Sequence, residues 1–177
     1  FPIGSRHLTN DIGVGLKIPN DVAESIKLKY GQALARDIPR REIINLSEFS
    51  GLHQTEVPRR FVGEIIEARL AELLDLIDND LKSINRNLQL PAGAVIVGGG
   101  SKLEGMTDLI RQELKLPVQI GLPDLNNIEI LNPTHKEMID DPEFATALGL
   151  VIWGRNDGRR SPNFLETTKK IFRNLIP

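Results

Sequence analysis

The chain has 177 residues, enough for one domain or two small lobes with a proper core. Its formal net charge of -2 argues against general nucleic-acid binding, which needs a strong basic excess. Zero cysteines exclude a disulfide framework, a thiol nucleophile and thiolate metal sites, and no apolar run approaches the about 18 residues of a membrane span.

Phe1-Pro2-Ile3-Gly4 reads as the end of a strand in a longer protein, without an initiator methionine. Thr9-Asn10-Asp11 offers helix N-cap chemistry ahead of Ile12, Val14, Leu16 and Ile18. Pro19-Asn20-Asp21 breaks that segment and caps a second helix. Val22, Ala23, Ile26 and Tyr30 share its apolar face, and Gly31 stops it. Glu24 and Lys27 lie three apart, so they point from one side. On the residues alone they are a surface ion pair worth a few tenths of a kcal/mol.

Residues 43–46 and 55–57 are short β-like pieces around Ser50-Gly51, a small hairpin or two sheet strands. Arg36, Arg40, Arg41, Arg59 and Arg60 flank them, a solvated basic rim or a surface for an acidic peptide. Pro58 then opens the longest periodic run, from Val62 through Ile66, Leu70, Leu74 and Leu81 to Ile84. Glu64, Glu67, Glu72, Asp75 and Asp78 fill the other face and read as solvated helix carboxylates rather than acid–base catalysts. Arg69 interrupts the apolar stripe.

Ala94-Val95-Ile96-Val97 predicts a buried strand, Gly98-Gly99-Gly100 a turn, and Met106 to Leu114 a helix. Such a junction lets backbone approach a ligand closely. The glycine spacing fits neither the dinucleotide fingerprint nor the phosphate loop, so a purely structural turn stays open. Residues 116–120 form the next strand, giving a β-α-β unit with a parallel pair. Residues 122–141 are an irregular excursion. Asp141-Pro142 starts a helix with Phe144, Ala145, Leu148, Gly149 and Ile152 inward.

A polar linker runs from Arg155 to Ser161. Phe164, Leu165, Thr168, Ile171, Phe172, Leu175 and Ile176 then form a stripe opposite Lys169, Lys170 and Arg173. That pattern suits a helix lying in a membrane interface, or a terminal helix docked on protein. The basic bias favours the membrane.

Four stretches together carry a resemblance. Residues 94–105 look like the adenosine motif of the actin/Hsp70/sugar-kinase superfamily: an apolar strand, Gly-Gly-Gly-Ser, then Leu-x-Gly before a helix. Ala23 to Gly31 resembles the Ala-Glu-x-Ile-Lys-x-x-Tyr-Gly segment of the FtsA family of bacterial cell-division proteins. Ile3 to Ile12 is similar to the family's entry into subdomain 2B, with Gly4-Ser5 where Gly-Gly is usual. Pro142 to Leu150 resembles its final helix motif.

The resemblance implies an α/β, actin-like (ribonuclease H-like) ATPase fold in part. Residues 1–3 would end a strand of subdomain 2A, 4–86 form subdomain 2B, 87–155 the rest of 2A, and 156–177 the linker and amphipathic helix. It gives Gly98, Gly99 and Gly100 the approach to ribose and α-phosphate, Ser101 and Leu103 the border of the adenine, and Glu24 and Lys27 the ribose and adenine across the cleft. ATP with Mg would be the cofactor of the intact protein. The phosphate hairpins lie upstream in the family, so this stretch would bind ATP weakly or not at all and catalyse nothing itself.

Partners implied are the C-terminal tail of the tubulin-like protein FtsZ, held through Arg59, Arg60 and Arg69, a second copy in a head-to-tail filament, other division proteins and the membrane surface. The place implied is the cytoplasmic face of the bacterial inner membrane. Alternatives within the superfamily are a pilus-assembly or cell-shape scaffold and a sugar- or acetate-kinase-type enzyme.

Overall fold

The first helix, α1 (Ser5–Leu16), begins ahead of the expected Thr9-Asn10-Asp11 cap. Gly4 is extended and donates its N–H to Nδ1 of His7 at 3.1 Å, while its carbonyl accepts the His7 N–H at 2.8 Å. The imidazole thus takes the place of the Glu or Gln that a capping box carries at the third helical position. Thr9 lies inside the helix, buried beside Leu8 and Ile12. In this computed structural model the described residues are 3–49, 56–86, 88–125 and 139–157. They fall into two units, Phe1–Gly121 and Leu122–Pro177.

Helix α2 (Asn20–Tyr30) follows Pro19, which takes the cap position itself; Asp21 sits in the first turn, where a carboxylate suits the helix dipole. Val22, Ala23 and Ile26 are buried, as the periodicity requires. Gly31 ends the helix with an extended backbone (φ −63°, ψ 137°), so its role is room and not left-handed geometry. A Cβ there would lie 2.3 Å from the Lys27 carbonyl and 2.9 Å from Cδ1 of Leu103.

Strands β1 (Ile43–Asn45) and β2 (Glu56–Pro58) pair antiparallel, with Ile44 opposite Val57 and both buried. Helix α3 (Arg59–Ser83) starts directly after Pro58 and buries Val62, Ile66, Leu70 and Leu74. Ile84, expected to extend the stripe, lies past the helix end and is exposed. The core is shared by α1, α2 and α3 with the hairpin and the buried face of α4 (Met106–Leu114). The first unit runs past residue 86, where the resemblance ends subdomain 2B, as far as Gly121.

Strands β3 (Ala94–Ile96) and β4 (Val118–Ile120) are parallel, with α4 between them in sequence. The expected β-α-β unit is present, but β3 is not buried. Side chains alternate across a strand: Ile96 packs on the core, whereas Val95 is 56% and Val97 47% exposed.

In the second unit Asp141 caps a short 3₁₀ turn, its Oδ1 accepting the Glu143 N–H at 2.9 Å, and α5 (Ala145–Asp157) follows. Phe144, Ala145, Leu148 and Ile152 are half-buried. Gly149, expected inward, is exposed, with nothing within 4 Å of where its Cβ would stand. The helix runs through Arg155–Asp157, so those residues are not linker.

Candidate functional site

The glycine loop depends on one residue for its shape. Gly98 has φ 93° and ψ 166°, a conformation that a residue with a Cβ rarely adopts, and nothing lies within 4 Å of where a Cβ would stand. Glycine is needed here for backbone geometry, and the space above the loop is open. Gly99–Lys102 then forms a 3₁₀ turn. Ser101 is buried and donates its hydroxyl to the Gly98 carbonyl at 2.7 Å, so it braces the loop from inside instead of facing outward to border a base. Leu103 is half-buried against Gly31, and the Ala33 N–H donates to the Glu104 carbonyl at 2.8 Å. Gly100 backs onto Ser5, whose Cβ lies 3.7 Å from where a methyl group on that glycine would stand. The loop is therefore seated on the start of α1 and the end of α2.

Ser5 and Thr9 of α1 face Glu24 and Lys27 of α2 in one charged cluster. Lys27 is only 7% exposed, which corrects the surface-pair reading. Its Nζ donates to Oε2 of Glu24 at 2.7 Å, to Oγ1 of Thr9 at 2.9 Å and to Oγ of Ser5 at 3.0 Å, with the Ser5 carbonyl at 3.4 Å. Thr9 donates its hydroxyl to the same Oε2 of Glu24. Burial pushes the Glu24 carboxyl up, but the bonds from Lys27 and Thr9 outweigh it and hold Glu24 below the usual carboxylate range.

Only Oε2 is engaged. Among the described residues Oε1 takes no hydrogen bond, and the side chain is 43% exposed. The cluster can thus present one carboxylate oxygen to a hydroxyl-bearing ligand. Sequence reasoning missed Thr9 and Ser5. The available signal was their spacing of four, one helical turn, on the flank of the Leu8 and Ile12 face.

Ser5 also lines a cavity of about 430 Å³, with Gly99, Gly100 and Ser101 on one wall and Leu70, Leu74 and Ile110 among its apolar lining. Arg69 borders it, and neither Glu24 nor Lys27 does.

The arginines differ from one another. Arg59 spends its fork internally: Nε on the Tyr30 carbonyl at 2.9 Å, Nη1 on Glu42 at 2.7 Å, and Nη2 on Gln32 at 3.2 Å and Glu104 at 3.4 Å. Arg69 ties α3 to α1 through both oxygens of Asp11 and also meets Glu72 at 2.7 Å. The Asp11 hydrogen bond and charge raise its pKa. Both arginines hold the fold. Arg60 keeps most of its donors, with one ion pair to Glu64 at 3.4 Å, and Arg40 and Arg41 are exposed.

Phe164, Leu165, Lys169, Lys170, Ile171, Phe172, Arg173, Leu175 and Ile176 lie outside the described residues. Among the described residues no helix is long and apolar enough to cross a membrane, and no three His, Asp or Glu side chains converge as a metal site. Among the described residues the site thus offers an open carboxylate oxygen and a glycine loop, and no cluster of magnesium ligands.

The family described as Cell division protein FtsA matches residues 1–149. The chain belongs to the FtsA family. FtsA of Pseudomonas aeruginosa is 31% identical over 154 residues, 87% of this chain and 36% of that protein. FtsA of Streptococcus pneumoniae is 32% identical over 166 residues, 90% of this chain and 35% of that protein. FtsA of Escherichia coli K12 is 27% identical over 162 residues. The chain thus spans little more than a third of these relatives.

Among solved structures, MreB5 of Spiroplasma citri bound to AMPPNP superposes with a TM-score of 0.60 at 13% identity, covering 91% of this chain and 47% of that one. The same protein bound to ADP gives 0.53 at 15% identity, over 68% of this chain. That likeness establishes the actin-like α/β fold. The FtsA match places the chain in a family of cell-division proteins and favours it over the pilus, cell-shape and kinase alternatives.

Proposed function

We propose that this chain forms the nucleoside-side wall of an ATP-binding, actin-like division protein that polymerises and ties FtsZ filaments to the cytoplasmic face of the inner membrane. The observation that carries the reading is that Ser5 links the two features, lying behind Gly100 of the glycine loop and accepting from Lys27 of the cluster, in which one Glu24 oxygen stays open. A ribose and base would rest against this wall. The AMPPNP and ADP on the MreB5 neighbours support a nucleotide in the fold, and the magnesium it carries would be held outside the described residues.

Residues 4–86 would act as subdomain 2B and 87–155 as the remainder of 2A. The start of α3 would receive the FtsZ tail: Arg60 keeps its donors, and Phe61 and Ile43 are exposed nearby on α3 and on the strand paired with β2. A short acidic peptide with apolar anchors suits such a surface. Arg59 and Arg69 would shape it from behind. The stripe from Phe164 to Ile176 with Lys169, Lys170 and Arg173 would be the membrane contact, and head-to-tail contacts between copies would run through 2B.

A labelled FtsZ-tail peptide titrated with the chain tests the partner reading by fluorescence anisotropy. Saturable binding at micromolar concentration is expected, and none at high micromolar concentration refutes it. In calorimetry the chain alone should bind ATP more weakly than micromolar, and a micromolar affinity would refute the one-walled cleft. Deleting residues 162–177 should abolish association with anionic liposomes.

A further inference from the structure

We propose that His7 is a pH-operated cap: neutral, it closes the first turn of α1, and protonated, it releases that turn and with it the backing of the glycine loop.

The switch lies in which atom the cap uses. Nδ1 of His7 accepts the Gly4 N–H at 3.1 Å, so the neutral ring carries its own proton on Nε2. A second proton can therefore enter only at Nδ1, the atom already holding Gly4. In the imidazolium both nitrogens are donors, and a donor facing an N–H makes no bond. Cap and charge exclude one another. Histidine is also the side chain whose charge changes between pH 5 and 8, and His7 is exposed, so its proton comes from bulk water.

Among the described residues the charges around α1 offer the imidazolium no replacement. Arg6, its neighbour, is a like charge. Asp11, one turn on, gives both oxygens to Arg69 of α3, which also meets Glu72. On α2, Glu24 is paired with Lys27. The carboxylates that face this helix are thus already matched by bases. The charged ring would stand at the positive end of the helix dipole, where a cation is unfavourable.

The turn that opens carries a support. Ser5, its first residue, offers Lys27 a hydroxyl at 3.0 Å and a carbonyl at 3.4 Å, and stands behind Gly100. Gly4 and Ser5 also line the cavity that Gly99 and Gly100 share. Thr9, one turn deeper and buried, keeps its own bond to Lys27. The acid response therefore runs from Gly4 through Ser5 to Gly100 and stops short of the Leu8–Ile12 core.

The test is an NMR titration of the 177-residue chain from pH 8 to pH 5, following backbone amides and the His7 ring together. Protection of the Gly4 amide, corrected for intrinsic exchange, should fall about five-fold in step with the ring, the loss of an ordinary helix cap. The Gly100 and Ser101 amide shifts should move with the same midpoint. At pH 8 the ring should be almost wholly the Nε2–H tautomer. His7→Gln keeps a side-chain acceptor at every pH, so Gly4 should stay protected and the step at Gly100 should vanish. His7→Ala should leave Gly4 unprotected throughout. Both substitutions are at an exposed position and leave the core untouched.

A Gly4 amide that keeps its protection while the ring titrates overturns the cap. A step at Gly100 that survives His7→Gln, or no step there while Gly4 is released, overturns the link to the loop.

Discussion

Two sets of charged residues look alike in the sequence and do different things in the fold. On α2, Lys27 saturates itself on α1 and on one oxygen of Glu24, leaving the other oxygen open. On α3, Arg59 puts four of its five N–H donors and Arg69 three into bonds within the fold: one clamps the end of α2 to Glu42 and Glu104, the other clamps α1 and meets Glu72. Charge and exposure do not separate the two sets. What separates them is the kind of atom left once the internal bonds are counted: a carboxylate acceptor on Glu24, and N–H donors on the arginines.

Removing Arg59 should give the largest effect. Arg59→Ala leaves Glu42, Gln32 and the Tyr30 carbonyl without a donor at a half-buried site, and about 2–3 kcal/mol of stability should be lost in urea unfolding. Arg59→Lys should not recover it, since a point charge cannot reproduce the fork. A loss no larger than that of an ordinary surface residue would place Arg59 back among the partner-binding candidates.

Lys27→Met comes next. A methionine of similar volume replaces a buried ammonium whose desolvation offsets much of its attraction, so about 1 kcal/mol should be lost by the same measurement. Arg69→Ala should loosen α1 against α3, raising hydrogen-exchange rates in Leu8–Gly13 while FtsZ-peptide affinity stays unchanged. A fall in peptide affinity without faster exchange would make Arg69 a direct contact.

Arg60→Ala should alter stability by less than about 0.5 kcal/mol and yet weaken the peptide several-fold, reversing the pattern of Arg59. Acid provides the mildest probe. Glu24 is held below its ordinary pKa, so its contribution is present above the unfolded carboxylate value and is lost as pH falls through the lowered one. Lys29, raised to about 12 by Glu48 and Tyr30, contributes below its unfolded value and loses that contribution only as pH rises through about 12. Melting curves in Thr9→Val should therefore lose part of the native acid dependence and keep the alkaline limb.

Much of the framework was legible because it rests on periodicity. The α3 stripe, the Ile44–Val57 hairpin and the β3-α4-β4 unit all follow from spacing two or spacing 3.6. The depth of the Glu24–Lys27 pair was not, since spacing alone made it a surface contact and the fold buries Lys27.

Three further things were not legible. The cap of α1 is made by His7, a residue whose ring nitrogen competes with the more usual Thr9-Asn10-Asp11 cap only once Gly4 is extended. The run Ala94 to Val97 looks buried because it is apolar, but burial depends on what covers each face, and Val95 and Val97 share the face that stays exposed. Finally, Thr9 and Ser101 are ordinary hydroxyls in the sequence. Their partners, Glu24 and Gly98, become visible only when α1 meets α2 and the loop turns.

The central claim is that the nucleoside is met by the glycine loop and Glu24 rather than by the arginine face of α3. An amide and carboxyl chemical-shift map of the chain titrated with adenosine tests it most directly. Perturbations confined to Gly98–Leu103 and Glu24, with Arg59, Arg60 and Arg69 unmoved, are the predicted result. Perturbations clustered at the start of α3, or none at the loop and Glu24, would contradict it.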